Sequence, residues 1–109
     1  MTIERLAVYG SLAPGEVNHD VVAAISGVWR RGVVRGVLHS QGWGAARGFP
    51  GLVWDPEGPA VPVQVLASDG LVGHWNRLDA FEGADYRRAL VPVTLDTGET
   101  VLAFIYLVR

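Results

Sequence analysis

Apolar residues follow two different periods along the chain, and these periods predict strands and helices. Runs that alternate apolar and polar positions are typical of β-strands, whereas apolar residues three or four positions apart are typical of an α-helix. This criterion predicts strands at residues 6–9, 28–38, 61–67, 88–95 and 100–107, and helices at residues 17–25 and 71–82. The helices do not alternate regularly with the strands, so the pattern predicts an α+β fold with a strongly curved or closed sheet.

The predicted helix 71–82 ends on an acidic residue at an apolar position. Leu71, Trp75 and Leu78 follow the spacing of one helical face, and Glu82 takes the next position on that face. If the helix continues to Glu82, the carboxylate points toward apolar surroundings, where burial raises its pKa and makes it a candidate proton-transfer group. If the helix ends earlier, Glu82 is a capping or solvated residue. The role of Glu82 therefore depends on where the helix ends.

Glycine and proline divide the rest of the sequence into turns and loops. Residues 41–59 are interrupted throughout by these two residue types, which predicts a long loop. The large apolar residues of this loop predict that it is packed rather than floppy; they are Trp43, Phe49, Leu52 and Trp54. Residues 96–99 are predicted to form a short hairpin turn, with Gly98 at a position where positive φ is needed.

Composition excludes several classes of protein. The 109 residues predict a single domain spanning 1–109, and half of them are apolar. The absence of cysteine excludes disulfides, thiol nucleophiles and cysteine-ligated zinc, and is typical of a cytoplasmic protein. No run approaches the roughly 18–20 apolar residues of a membrane span, so no membrane partner is expected.

Charge and histidine spacing exclude further partners. A formal net charge of −2 provides no broad cationic field for nucleic acid, and Arg30, Arg31 and Arg35 are better explained as a solvated strand face than as a phosphate patch. The three histidines lack the spacing of metal ligands, and no nucleotide-binding glycine motif is present. We therefore expect neither a metal nor an organic cofactor.

The segment that follows the first strand is the second candidate for function. It consists of Tyr9, Gly10, Ser11 and Leu12. A sharp turn at a glycine exposes successive backbone N–H groups, which suit a carboxylate or a developing oxyanion. A side chain at Gly10 would block the approach of a ligand or force an unfavourable φ. Ser11 is better explained as a turn hydroxyl than as a nucleophile, because no histidine has a spacing that ties it to Ser11 as the base.

Three motifs occur in an order that resembles a known family. They are Val-Tyr-Gly-Ser-Leu at residues 8–12, Gly-Phe-Pro-Gly-Leu-Val at 48–53 and Leu-Asp-Ala-Phe-Glu-Gly-Ala-Asp-Tyr-Arg-Arg at 78–88. Over residues 6–107 the chain resembles the γ-glutamylcyclotransferase-like proteins, the group that includes γ-glutamylamine cyclotransferases and plant avirulence-induced-gene-like proteins. The resemblance implies a small mixed β-barrel with flanking short helices and a cavity at one end.

The resemblance also implies a reaction and a site. Proteins of this group cyclise a γ-glutamyl group, which releases 5-oxoproline and an amine or amino acid without a cofactor. By this resemblance, Glu82 is the general base and then the general acid. The substrate-binding residues are Tyr9, Gly10, Ser11, Leu12 and Tyr86, and the backbone amides of the turn hold the glutamyl half. We expect a small γ-glutamyl substrate as the partner, and a monomer or weak homodimer.

Other functions and other residue roles stay open at the level of sequence. A non-catalytic binding module for a small acidic metabolite, or a barrel that binds a protein partner, could have the same cavity. Tyr9 and Tyr86 could each contact ligand or pack in the structure, and Arg88 could pair with Asp79 or Asp85 rather than touch substrate. The apolar residues of the 42–59 segment predict an uncharged or alkylamine leaving group.

Overall fold

The structure is a computed structural model that describes residues 3–10, 12–39 and 51–109. Within these residues the chain forms six strands, two short α-helices and a 3-10 turn at Leu71–Gly73. The strands are β1 (Glu4–Val8), β2 (Val28–His39), β3 (Gly51–Trp54), β4 (Ala60–Ser68), β5 (Tyr86–Leu95) and β6 (Thr100–Val108). The helices are α1 (Asp20–Ala23) and α2 (Trp75–Glu82).

Five of the strands close into a barrel in the order β2-β4-β1-β6-β5, and β5 returns to β2. β1 and β6 run parallel, whereas the other neighbours are antiparallel. β3 pairs antiparallel with β2 but is not one of the five strands that close the ring. Gly32 lies where β2 meets β5, and a Cβ at this position would stand 2.7 Å from the carbonyl oxygen of Thr94. The lack of a side chain therefore permits the closure of the barrel.

Alternation along the strands separates two apolar clusters. In β4, Val61, Val63 and Val65 belong to one cluster, whereas Leu66 belongs to the other. The first cluster draws on all six strands and fills the barrel. The second packs beneath the helical segments and contains Leu71, Trp75 and Leu78 of the face predicted for residues 71–82. Burial of such large side chains stabilises the fold by roughly 1.5–3 kcal/mol each, which holds α2 against the barrel.

These elements confirm the predicted α+β class, with a small mixed β-barrel and flanking short helices. All five predicted strands are present. The helix predicted at 17–25 is limited to Asp20–Ala23, because hydrogen-bonded turns occupy residues 13–19. The loop prediction is wrong for Gly51–Trp54, which forms β3 through pairing with β2; the preceding part of that loop, residues 41–50, lies outside the described residues.

No helix in the described segments is long and apolar enough to cross a membrane.

Candidate functional site

Three of the elements predicted to carry function meet at one end of the barrel. β1 is parallel to β6 with Leu6 opposite Phe104, and β5 begins with Tyr86 opposite Val108 near the end of β6. The end of β1 and the start of β5 therefore lie at the same end, which we call the mouth. Because α2 ends only a few residues before β5 begins, Glu82 also lies at the mouth.

Glu82 is the last residue of α2, so the alternative in which the helix continues to Glu82 is confirmed. The helix stops there because Gly83 adopts a φ of +83°, a conformation that favours glycine. The side chain of Glu82 is half-buried, and this burial raises the pKa of its carboxyl from 4.5 to about 7. Within the described residues, the structure gives this carboxylate no hydrogen bond and no ion pair. A proton can therefore bind or leave near neutral pH.

Tyr9 connects three strands at the mouth through its phenol group. Its hydroxyl donates a hydrogen bond to the carbonyl oxygen of Tyr106 (2.7 Å) and accepts one from the backbone N–H of Leu52 (3.0 Å). Burial raises the pKa of the Tyr9 phenol, and the negative charge of Glu82 contributes to the same shift. Tyr9 is thus a buried structural hydroxyl that stands within electrostatic range of Glu82. A direct contact of Tyr9 with ligand stays a prediction.

Gly10 begins a turn in which the N–H of Ala13 donates to the carbonyl oxygen of Gly10 at 3.1 Å. Its φ is not positive, and a Cβ at this position would meet no atom of the described residues within 4 Å. The expectation of an unfavourable φ is therefore wrong, because the backbone here is one that any residue can adopt. The other reason for a glycine, free approach of a ligand, stays a prediction.

The remaining residues of the turn lie in different surroundings. Ser11 is outside the described residues. The side chain of Leu12 is only 4% exposed and belongs to the apolar cluster beneath the helices. Nδ1 of His19 lies 3.0 Å from the carbonyl oxygen of Leu12, and the His19 ring packs at a tilted angle of 57° against the ring of Trp29. His19 therefore supports the turn, and only the backbone of Leu12 is a candidate for ligand contact.

A cavity of about 450 Å³ lies beside the turn. Tyr9 and Gly10 line it, whereas Glu82 and Tyr86 do not. Its polar lining consists of a negative, a positive and an amide side chain, those of Glu16, Arg31 and Gln64. The remaining lining residues are Val8, Ala13, Pro14, Gly32, Pro62 and Val63. Tyr9 therefore lines this cavity and is also within electrostatic range of Glu82. The sequence interpretation missed the polar lining, because Arg31 and Gln64 meet only through the pairing of β2 with β4.

Tyr86 and Arg88 occupy structural positions at the start of β5. Tyr86 is 8% exposed and packs in the cluster beneath the helices, so its side chain is part of the core. Arg88 pairs with Asp79 rather than Asp85, with Nε 2.9 Å from Oδ1 and Nη2 3.3 Å from Oδ2. The ion-pair alternative for Arg88 is confirmed.

Tyr106 is a residue of the mouth that sequence reasoning missed. Its hydroxyl donates to Oδ1 of Asp79 at 2.7 Å, while its carbonyl oxygen accepts the hydrogen bond from Tyr9. The hydrogen bond from Arg88 lowers the pKa of Asp79, which is therefore ionised at neutral pH. The signal in the sequence was the alternation of Phe104 and Tyr106 on one face of the last strand, where a tyrosine brings a polar tip to an apolar surface.

The segment expected to bind the leaving group is only partly described. Leu52 is fully buried inside the barrel, and Trp54 is 37% exposed, whereas Trp43 and Phe49 lie outside the described residues. The preference for an uncharged leaving group therefore stays a prediction. In the described part of the chain, no three His, Cys, Asp or Glu side chains are grouped so that they could hold a metal ion.

Solved structures with the same fold include several relatives of low identity. YkqA of Bacillus subtilis is 28% identical with a TM-score of 0.74, and the match covers 99% of this chain but 36% of YkqA. An AIG2-like protein of Mus musculus is 24% identical with a TM-score of 0.74, covering 100% of this chain and 79% of that one. A gamma-glutamyl cyclotransferase is 18% identical with a TM-score of 0.70, covering 99% and 68%.

The family comparison covers nearly the whole chain. A search of the curated proteins gives no match. The family model described as gamma-glutamyl cyclotransferase, AIG2-like, matches residues 6–109, a range that includes the turn after β1, the whole of α2 and every strand from β2 to β6. The chain therefore belongs to the gamma-glutamyl cyclotransferase, AIG2-like family.

Proposed function

We propose that this protein cyclises a γ-glutamyl amide, releasing 5-oxoproline and an amine or amino acid, with Glu82 as general base and then general acid. Membership of the family supports a general gamma-glutamyl cyclotransferase-like function. The observation that carries the finer proposal is the carboxylate of Glu82, which is half-buried and without a partner among the described residues, and whose pKa is about 7. This carboxylate is within electrostatic range of Tyr9, the residue at which the turn begins.

The reaction requires one proton to be taken and one to be returned. The neutral α-amine of the glutamyl group attacks the γ-carbonyl carbon, and Glu82 accepts a proton from the attacking nitrogen. When the tetrahedral intermediate collapses, the bond to the leaving nitrogen breaks and the Glu82 carboxylic acid protonates that nitrogen. The carboxylate is regenerated and no water is consumed. A pKa near 7 suits both steps, because each protonation state is then accessible at neutral pH.

The protein does not need a covalent nucleophile for this reaction. Closure of a five-membered ring is intramolecular, so holding the substrate in a near-attack geometry supplies a large part of the rate. We propose that backbone N–H groups of Gly10, Ser11 and Leu12 hold the glutamyl half and the developing oxyanion, with Tyr9 and Tyr86 shaping the site. The open space beside Gly10 leaves room for this approach.

The test is release of 5-oxoproline from a panel of γ-glutamyl amides that includes amino acid and alkylamine leaving groups. Glu82→Gln keeps the shape of the side chain but cannot transfer the proton, so we expect a loss of at least about 100-fold in kcat. Glu99→Gln is the matched control, because Glu99 is exposed in the turn between β5 and β6. We expect this control to retain full activity.

Two results would contradict the proposal. Full turnover by Glu82→Gln would exclude Glu82 as the base. Absence of 5-oxoproline from every member of the panel, with protein shown to be folded, would exclude cyclisation of these substrates. In the second case, calorimetric binding of the same amides without turnover would favour the non-catalytic binding module.

A further inference from the structure

We infer that Asp79 and Arg88 are positioning residues, which with Tyr106 fix the end of α2 so that the carboxylate of Glu82 stays beside Tyr9. This inference rests on the proposed function of Glu82 and extends it to residues that do not touch the reacting atoms. It is carried by a continuous set of hydrogen bonds across the mouth, which joins α2 to β5, β6 and the residue after β1.

The first contacts attach α2 to two strands. Arg88 of β5 makes a two-point ion pair with Asp79, at 2.9 and 3.3 Å, and Tyr106 of β6 donates its hydroxyl to the same carboxylate at 2.7 Å. The guanidinium also lies over the rings of Trp75 and Phe104, at 4.5 and 5.0 Å from their centroids. Two nitrogens of the guanidinium thus bind the Asp79 carboxylate and its face packs on two rings, so we assign Arg88 to the position of α2 rather than to substrate.

The second set of contacts attaches the same residues to the turn. The carbonyl oxygen of Tyr106 accepts the hydroxyl of Tyr9, and that hydroxyl accepts the N–H of Leu52. Tyr106 therefore bonds to α2 through its side chain and to β1 through its backbone. The distance between Glu82 and the turn depends on this residue and on Asp79.

The position of Asp79 in the helix explains why its contacts control Glu82. Asp79 lies three residues before Glu82, so both occupy the last turn of a helix of eight residues. The backbone carbonyl of Asp79 also accepts the N–H of Gly83, the residue that ends the helix. The ends of short helices fray unless tertiary contacts hold them. The ion pair supplies such a contact one turn before the carboxylate that must stay in place.

The experiment compares Arg88→Lys, which keeps the charge but loses the two-point geometry, with Arg87→Lys at the exposed neighbouring position. We expect Arg88→Lys to lower kcat about tenfold with KM within about twofold of wild type, because alignment rather than binding is lost. Arg87→Lys should match wild type. Asp79→Asn is the second variant, and it should lower kcat as much as Arg88→Lys does.

Repeating Arg88→Lys in the Glu82→Gln background separates positioning from a general defect. We expect no further loss of kcat there, because the group that Arg88 positions is already gone. An equal loss in both backgrounds, or wild-type kcat for Arg88→Lys and Asp79→Asn, would overturn the inference. If Glu82→Gln alone leaves kcat unchanged, the proposed function fails instead.

A second readout does not require a known substrate. The carboxyl of Glu82 can be titrated by 13C NMR in wild type and in the variants. Release of the end of α2 exposes Glu82 to water, so Arg88→Lys should move its titration midpoint down toward 4.5. In Arg88→Lys the groups within electrostatic range of Glu82, Tyr9 and Tyr106, are unchanged, Asp79 keeps its carboxylate, and residue 88 keeps its charge. An unmoved midpoint in both Arg88→Lys and Asp79→Asn would also overturn the inference.

Discussion

Each end of the barrel carries a glycine in a turn and a nearby glutamate. At the mouth these are Gly10, in the turn after β1, and Glu82, at the end of α2. At the other end, which we call the far end, they are Gly98 and Glu99 in the turn between β5 and β6. At the far end, Gly98 has a φ of +90° in a hydrogen-bonded hairpin turn, and Glu99 is exposed. At the mouth, Gly10 has no positive φ, and Glu82 is half-buried with a pKa raised to about 7. The far end thus places its glycine where the backbone needs one and its glutamate in water. At the mouth, by contrast, the φ of the glycine does not require glycine, and the glutamate is not fully in water.

This difference separates residues that the fold needs from residues that the fold only tolerates. Gly98 supplies a conformation that costs other residues roughly 1–2 kcal/mol, so the hairpin explains it. The φ of Gly10 does not require glycine, and the half-buried carboxylate of Glu82, which has no hydrogen-bond or ion-pair partner among residues 3–10, 12–39 and 51–109, opposes stability. Residues that the fold does not explain are expected at functional sites. The mouth is therefore the end of the barrel to which we assign function.

The largest effect should come from Gly10→Val. The side chain would extend into open space beside the cavity, so the barrel should fold with the stability of wild type, whereas a displaced substrate should lose about 100-fold in kcat/KM. Gly98→Val is the matched substitution at the far end. It should lower the free energy of unfolding by roughly 1–2 kcal/mol and leave kcat/KM unchanged. If Gly10→Val lowered the free energy of unfolding but left kcat/KM normal, Gly10 would be required by the fold rather than by the ligand, which would contradict the difference between the two ends.

A smaller effect should appear in the dependence of stability on pH. The pKa of Glu82 rises from 4.5 in the unfolded chain to about 7 in the folded protein. Below pH 4.5 the carboxyl is neutral in both the folded and the unfolded protein, so its burial does not cost stability. Between pH 4.5 and 7 it is ionised in the unfolded chain but still protonated in the folded protein, so wild type should lose stability as pH rises through this range. Glu82→Gln should remove this loss and be more stable than wild type at pH 8, by on the order of 2 kcal/mol.

The control for this measurement is again at the far end. Glu99 is exposed, so Glu99→Gln should change the free energy of unfolding by less than about 0.5 kcal/mol. Urea unfolding at several values of pH between 4 and 8 gives the required free energies. A difference between Glu82→Gln and wild type that is constant over this range would show that the carboxyl titrates normally.

Sequence patterns predicted the strands and the helix whose periodicity is visible within a single segment of the chain. Alternation identified the five barrel strands, and the stripe of Leu71, Trp75 and Leu78 identified α2. β3 was missed because its four residues, Gly51–Trp54, lie among glycines and prolines, and only pairing with β2 makes them a strand. The order of the strands and the meeting of β5 with β2 likewise depend on contacts distant in sequence.

The same limit applies to the candidate site. The apolar stripe indicated Glu82, because burial of a carboxylate can be read from helical spacing. The reason for a glycine at position 10 was open, because the sequence alone does not distinguish a glycine required by its φ from one that leaves space for a ligand. Leu12 and Tyr86 send their side chains into the core, and the contact of Tyr106 with Asp79 joins residues 27 positions apart. Such placements follow from packing rather than from local pattern.

The half-buried carboxyl of Glu82 is the feature that distinguishes the mouth from the far end, and 13C NMR titration of the carboxyl groups measures its pKa directly. The chain contains 11 aspartates and glutamates, and the spectrum of Glu82→Gln identifies the signal of Glu82 by its loss. We expect this signal to titrate with a midpoint near 7. A midpoint near 4.5 would show that the carboxyl of Glu82 is solvated like that of a surface residue, and would contradict its role in proton transfer at neutral pH.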